Sequence, residues 1–220
     1  KKQVIKIAKK YGIRVIGPNC LGIIDTNTPL NATFAAGTPP QGSISFMSQS
    51  GALQTAILDW SLASHDLGFS RFVSLGNKAD VTETDLMLDW VDDPQTRVML
   101  AYVEGVPNGP EFMRVAREVS RKKPILVLKS GVTESGSRAV SSHTGSLAGA
   151  EAAYDAAFYQ AGVLRMNSLE ELFGNARAFA NQPLLNGSRI AIVTNAGGPG
   201  ILATDTLERS GMQLARFEHE

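Results

Sequence analysis

Ser43-Ile44-Ser45-Phe46-Met47 runs without a break into Ser48-Gln49-Ser50-Gly51 and then into Ala52–Ser64. The first five residues form a short β-prone run, and the next four are small and polar. The last stretch carries Leu53, Ala56, Ile57 and Trp60 at helical spacing. This is a strand, a tight turn and a helix, and the pattern repeats. Phe69–Leu75 predicts a second strand, Gly76-Asn77-Lys78-Ala79-Asp80 its turn and Glu83–Val91 a second helix. Val98–Val103 predicts a third strand ending at Glu104-Gly105, followed by a helix over Glu111–Arg121 and a fourth strand over Pro124–Lys129. Strands alternating with helices in this way predict an α/β fold built on a doubly wound parallel sheet. Ligands of such sheets bind beyond the carboxyl ends of the strands. Ser48, Asn77, Glu104 and Lys129 all fall at those ends, and the opposite edge shows nothing comparable.

Further along the chain, Ala150–Ala161 predicts a helix and Gly162–Leu164 a short strand. Ser168 caps a helix over Leu169–Ala180, with Glu171 placed for a capping box. After a break at Pro183–Gly187, an apolar strand (Arg189–Val193), a glycine-rich turn (Thr194–Gly200) and a helix (Ile201–Ser210) begin the pattern again. Residues 150–220 therefore read as linking helices and the first part of a second, similar α/β domain, with the junction near residue 150. Upstream, Lys1–Tyr11 is amphipathic and Ile13–Ile16 reads as a strand, so residues 1–24 resemble the last helix and strand of a truncated domain. Residues 25–41 contain Pro29, Pro39 and Pro40 with little periodicity and read as an interdomain linker. Residues 42–149 are then the central domain.

Composition narrows the function. Of 220 residues, 43% are hydrophobic and 19% charged, which suits a globular chain with a sizeable core. The net charge is zero with no basic block, which argues against a nucleic-acid partner. A single cysteine, Cys20, excludes an intrachain disulfide and a cysteine-based zinc site, and no side chains stand at metal-ligand spacing. No apolar run approaches the roughly 18–20 residues that span a bilayer, and the N-terminus has no signal-peptide pattern. A cytoplasmic protein without a membrane partner is expected.

The chemistry concentrates in two kinds of segment. Residues 130–149 hold His143 among Ser141, Ser142, Thr144, Gly145 and Ser146. Small residues let a backbone bend and approach a ligand, and imidazole is a nitrogen nucleophile near neutral pH. A loop so built can take up a group in one place and release it in another. An exposed histidine without a role is the plainer alternative. The turns after Ser43–Met47 and after Ile190–Val193 share one construction, an apolar strand passing through small residues into a helix. Helix starts carry unpaired N–H groups and about half a positive charge, so they favour anions. Ser48, Ser50 and Gly51 open one such turn, and Gly197, Gly198 and Gly200 open the other. Neither is a P-loop or a complete Gly-x-Gly-x-x-Gly fingerprint, and glycine and serine are common in ordinary strand-to-helix turns. Two anion-seeking helix ends and one loop histidine suggest a phosphohistidine held between them, since phosphoryl transfer needs mainly positioning and charge stabilisation. Glu104 is the candidate acceptor for the other imidazole N–H. A solvated loop carboxylate is its alternative.

These segments carry a resemblance. Gly17-Pro18-Asn19-Cys20-Leu21-Gly22, Ser48-Gln49-Ser50-Gly51-Ala52-Leu53, Gly76-Asn77-Lys78-Ala79-Asp80, Ser141–Gly149 and Thr194–Gly200 together resemble the NDP-forming acyl-CoA synthetases. These are acetate–CoA ligases (ADP-forming), relatives of succinyl-CoA synthetase. The resemblance implies flavodoxin-like, succinyl-CoA synthetase-like domains and a relay. Acyl-CoA and phosphate give an acyl phosphate and CoA, a histidine takes the phosphoryl group, and an ATP-grasp domain or subunit passes it to ADP with Mg2+. It implies His143 as the phosphorylated residue and Glu104 as its orienting carboxylate. Ser48, Ser50, Gly51, Gly197, Gly198 and Gly200 are implied at the phosphate, with Asn19 and Cys20 bordering the CoA site. Short carboxylic acids, CoA and nucleotide are the implied substrates, and an oligomer the implied full-length assembly. Most of the CoA-binding domain and the ATP-grasp domain are expected outside this stretch, which alone is expected to be inactive. The alternative is the synthetase-like regulatory region of a bacterial protein lysine acetyltransferase, in which the loop histidine is often lost.

Overall fold

A computed structural model describes residues 2–64, 67–133, 135, 136, 138 and 151–217. The chain divides into two compact units, Lys1–Asn181 and Gln182–Glu220. In the first, strands β3 (Gln41–Ser48), β4 (Phe69–Ser74), β5 (Val98–Val103), β6 (Ile125–Lys129) and β7 (Leu164–Met166) lie parallel in the order β4-β3-β5-β6-β7. Helices α2 (Gly51–Ser64), α3 (Glu83–Trp90), α4 (Gly109–Val119), α5 (Glu151–Ala161) and α6 (Leu169–Asn181) follow α1 (Lys2–Lys10) in chain order.

Alternation along the strands divides the core into two layers. Met47, Met99, Ala101, Val103, Ile125 and Val127 point to one face, where Trp90, Phe112 and Phe158 from α3, α4 and α5 cover them. Ile44, Phe46, Phe72, Val98, Leu100 and Leu126 point to the other, under Ile57 and Leu58 of α2 and Leu172 and Phe173 of α6. The Phe46 ring, 0% exposed, stands 5.4 Å from Phe72 and 5.8 Å from Phe173, within the range of favourable aromatic pairs.

The doubly wound α/β reading therefore holds, with three differences. Ile13–Ile16 forms no strand. The stretch read as a linker contains β1 (Gly22–Asp25) and β2 (Leu30–Thr33), an antiparallel hairpin that pairs with β4 and makes the seven-stranded sheet mixed. Its four-residue strands are too short to show an alternation, and its stability comes from backbone pairing with β4, which no local pattern records. The third difference is the boundary: residues 151–181, read as linking helices, complete the first sheet, since β7 pairs with β6 and the two helices cover its faces. Apolar residues there are paired in space with β6, a relation that sequence spacing does not carry.

At the amino ends of the strands lies a buried cluster of hydroxyls. Ser45 Oγ is 2.8 Å from Ser70 Oγ and 2.6 Å from Thr96 Oγ1, while Thr96 donates to Asp93 Oδ2 at 2.8 Å. Arg71 reaches both Asp93 (3.5 Å) and Asp25 of the hairpin (2.9 Å).

The second unit is a single parallel β-α-β element: β8 (Arg189–Ile190), α7 (Gly197–Arg209) and β9 (Gln213–Leu214). Among the described residues no helix is long and apolar enough to cross a membrane.

Candidate functional site

Ser48 ends β3, and the chain turns at once into α2. The Ser48 hydroxyl accepts from Ser50 N at 3.0 Å and donates to Ser50 O at 3.0 Å, which fixes the turn. Ser50 caps the helix, its Oγ accepting from Leu53 N at 3.2 Å. The turn before α7 repeats this device, with Thr194 Oγ1 accepting from Ala196 N at 3.1 Å and donating to Ala196 O at 3.2 Å. The two turns thus share hydrogen-bond pattern as well as composition. Each opens a helix with a glycine directly after it, Gly51 and Gly197.

Asn19, Cys20, Phe34, Gln49, Ser50 and Gly51 line a cleft of about 600 Å³. The residues expected at the CoA border and those at one phosphate turn therefore meet in one place. Burial pushes the Cys20 thiol up, so the thiol stays protonated near neutral pH and lines the cleft without being an activated nucleophile. Gly197, Gly198 and Gly200 lie in the second unit at the start of α7. His143 lies outside the described residues.

The segment 14–19 is held against the turn after β4. Asn77 N donates to Pro18 O (2.9 Å), Ala79 N to Gly17 O (2.8 Å) and Val81 N to Val15 O (3.1 Å). Gly76, at φ +51°, has no room for a side chain: a Cβ there would sit 2.4 Å from the carbonyl oxygens of both Pro18 and Asn19. Asp80 Oδ2 accepts from Val15 N and from Arg14 Nε, each at 2.9 Å, and Arg14 also reaches Asp85 at 2.8 Å. The Val15 N–H and then Arg14 hold the Asp80 carboxyl below the usual carboxylate range. Asp85 is also held low, where the hydrogen bonds from Arg14 and Thr82 outweigh its partial burial. Because folding lowers these pKa values, the stability they contribute is complete above the unfolded value of about 3.9. It is lost as pH falls through the lower folded values. Asp80→Asn is expected to unfold at lower urea than the parent at pH 7, and the two midpoints should converge as pH falls through the lowered carboxyl value. A gap that persists undiminished in acid would show that the ionised carboxylate is not what holds the segment.

Glu104 follows β5 and is 8% exposed, so the solvated-carboxylate alternative does not describe it. Two lysines with buried side chains face it. Lys129, at the end of β6, is 4% exposed and stands 4.6 Å from the Tyr154 ring centroid, a cation–π distance. The Lys78 side chain, 6% exposed, pairs with Glu83 at 2.5 Å. Burial pushes both ammonium groups below the ordinary lysine value, and the nearby Glu104 charge opposes that shift in each. Lys129 was visible in sequence as a polar residue at a strand end. Gln49 and Lys78 were not singled out, although both sit inside the quoted motifs.

The chain is similar over its length to CoA ligases. It is 48% identical over 219 residues to the alpha subunit of acetate–CoA ligase (ADP-forming) II of Pyrococcus furiosus, covering 100% of this chain and 47% of that protein. It is 49% identical over 216 residues to acetate–CoA ligase (ADP-forming) of Methanocaldococcus jannaschii, covering 98% of this chain and 30% of that one. Its fold matches acetyl-coenzyme A synthetase 1 of Ca. Korarchaeum cryptofilum, solved with phosphate and ADP, with a TM-score of 0.89 and 41% identity. That match covers 99% of this chain and 47% of the other. The chain thus spans about half or less of the proteins it matches. Residues 41–179 fit the family described as "Succinyl-CoA ligase like flavodoxin domain". With the β4-β3-β5-β6-β7 sheet and its polar carboxyl edge, that match shows that the chain belongs to the succinyl-CoA ligase-like flavodoxin domain family.

Proposed function

We propose that this chain is the phosphoryl-handling part of an ADP-forming acyl-CoA synthetase. The whole protein interconverts acyl-CoA, ADP and phosphate with a carboxylic acid, CoA and ATP. The observation that carries the proposal is the carboxyl edge of the sheet, where the start of α2 opens into the Asn19–Cys20 cleft beside a buried Glu104. The N–H groups at Ser50 and Gly51 suit a phosphate or acyl-phosphate oxygen, and the cleft beside them suits the thiol end of CoA. His143 attacks phosphorus through a ring nitrogen and releases the carboxylate. The Glu104 carboxylate accepts the other ring N–H and stabilises the imidazolium that develops. At the start of α7, the glycine-rich turn at Gly197, Gly198 and Gly200 also suits phosphoryl oxygens. An ATP-grasp domain or subunit then binds ADP with Mg2+ and takes the phosphoryl group. We place this protein in the cytoplasm as an oligomer acting on small molecules. The similarity to ADP-forming CoA ligases favours this reading over the acetyltransferase-linked one.

The test is the phosphoenzyme. Full-length protein with its nucleotide-binding partner, given labelled ATP and Mg2+, should acquire an acid-labile, base-stable label that leaves on addition of CoA and the carboxylic acid. Glu104→Gln keeps the shape of the side chain and removes its charge. It should slow single-turnover labelling by ~10–100-fold while leaving the melting temperature within a few degrees. An unchanged labelling rate would sink the role assigned to Glu104.

A further inference from the structure

The backbone of Glu104 and Gly105 is gripped from three sides by side chains. Gln49 Oε1 accepts from both N–H groups, from Gly105 N at 3.0 Å and from Glu104 N at closer range. The Glu104 carbonyl accepts from Lys129 Nζ at 2.8 Å. The Gly105 carbonyl accepts a short hydrogen bond from Lys78 Nζ, whose other partner is Glu83. All four peptide groups of this dipeptide are therefore satisfied, and none of the three gripping side chains lies on its strand.

The three come from different places. Gln49 belongs to the turn that opens α2, Lys78 to the turn after β4 and Lys129 to the end of β6. Two of them are buried cations used as donors to neutral carbonyls. That is an expensive way to end a strand: burying an ammonium opposes its charge, and a hydroxyl or water could satisfy a carbonyl. It makes sense where the direction of one side chain must be fixed and its surroundings kept positive.

We propose that Gln49, Lys78 and Lys129 are positioning residues that together set the direction of the Glu104 carboxylate at the carboxyl edge of the sheet. The proposal rests on the catalytic reading of Glu104 given above. Gln49 has a further consequence: since it also sits in the phosphate turn, displacement of Ser50 and Gly51 is transmitted to Glu104 through one amide. Lys78 couples the same point to the turn that holds the segment 14–19, hence to the wall of the cleft. Occupancy of the cleft and the direction of Glu104 are thereby linked.

The experiment is a double-mutant cycle on the full-length protein with its partner, read as single-turnover labelling by ATP. Lys129→Met replaces a buried ammonium by an apolar chain of similar shape, and Gln49→Met does the same for the amide. Each alone should slow labelling about tenfold, with KM for ATP unchanged and the melting temperature within a few degrees. Combined with Glu104→Gln, each should add less than twofold, because the carboxylate they direct is already lost. Lys129→Arg should recover at least half of the lost rate. Full additivity with Glu104→Gln overturns the proposal, as does a parental rate in both single variants. Loss of folding in both variants also overturns it, because their role would then be structural. A normal rate in Glu104→Gln itself is a different failure, one that removes the catalytic reading on which the proposal rests.

Discussion

His143→Asn should abolish the acid-labile phosphoryl label completely. Asparagine is close in size and polarity to imidazole, so a loop built of small hydroxylated residues accepts it without cost to the fold, but the amide nitrogen is not a nucleophile. Transfer from ATP to the imidazole breaks the γ-phosphoryl P–O bond, forms an N–P bond and releases ADP. Asparagine offers no lone pair of comparable basicity for the second of these events. The overall synthesis of acyl-CoA should fall to background with it, while transfer of the acyl group between CoA and phosphate (acyl-CoA and phosphate giving acyl phosphate and CoA), which does not pass through the histidine, should persist. That split distinguishes loss of the carrier from loss of the site. A label that survives in His143→Asn would move the phosphoryl group to another residue and dismantle the relay.

Gly76→Ala should cause the largest loss of stability of any single change considered. The residue sits at φ +51°, where an L side chain costs about 1–2 kcal/mol, and its Cβ would overlap two carbonyl oxygens at 2.4 Å. Neither oxygen can retreat freely, because the backbone around Pro18 and Asn19 is tied to Asn77, Ala79 and Val81. The turn and the segment 14–19 must separate, for a total on the order of 3 kcal/mol. Urea unfolding should show the shift in midpoint. Gly109→Ala is the control, since a Cβ there meets nothing within 4 Å. A Gly76→Ala midpoint no lower than that of the control would mean that the turn adapts. Asn19 and Cys20 line the cleft, so the damage should extend to CoA-dependent release of the label.

Much of this fold was legible in sequence because its strands are buried on both faces. Ser43–Met47, Phe69–Leu75 and Val98–Val103 are apolar runs of strand length separated by helical periods, and the observed β3, β4 and β5 follow them closely. The hairpin was not legible. Leu30–Thr33 is exposed along most of its length, so it lacks the buried alternation that announces a strand. β7 was read two residues early, at Gly162–Leu164, and its place in the first sheet was not legible: three residues cannot show a period, and its membership depends on pairing with β6. The site divides the same way. Ser48, Ser50 and Gly51 could be read because a strand-to-helix turn is a local object, and Glu104 because it ends a strand. Gln49 and Lys78 could not, because what they hold lies 55 and 27 residues away along the chain. The opposite edge, which looked empty, holds hydroxyls whose significance exists only once three strands are side by side.

That hydroxyl triangle has a proton shortage. Thr96 gives its proton to Asp93, which leaves Ser45 and Ser70 with two protons to distribute over three close oxygen–oxygen contacts. One side of the triangle must always be two lone pairs facing each other, so all three bonds are never complete at once. Arg71, joining Asp93 to Asp25, hangs the antiparallel hairpin from this same incompletely bonded knot.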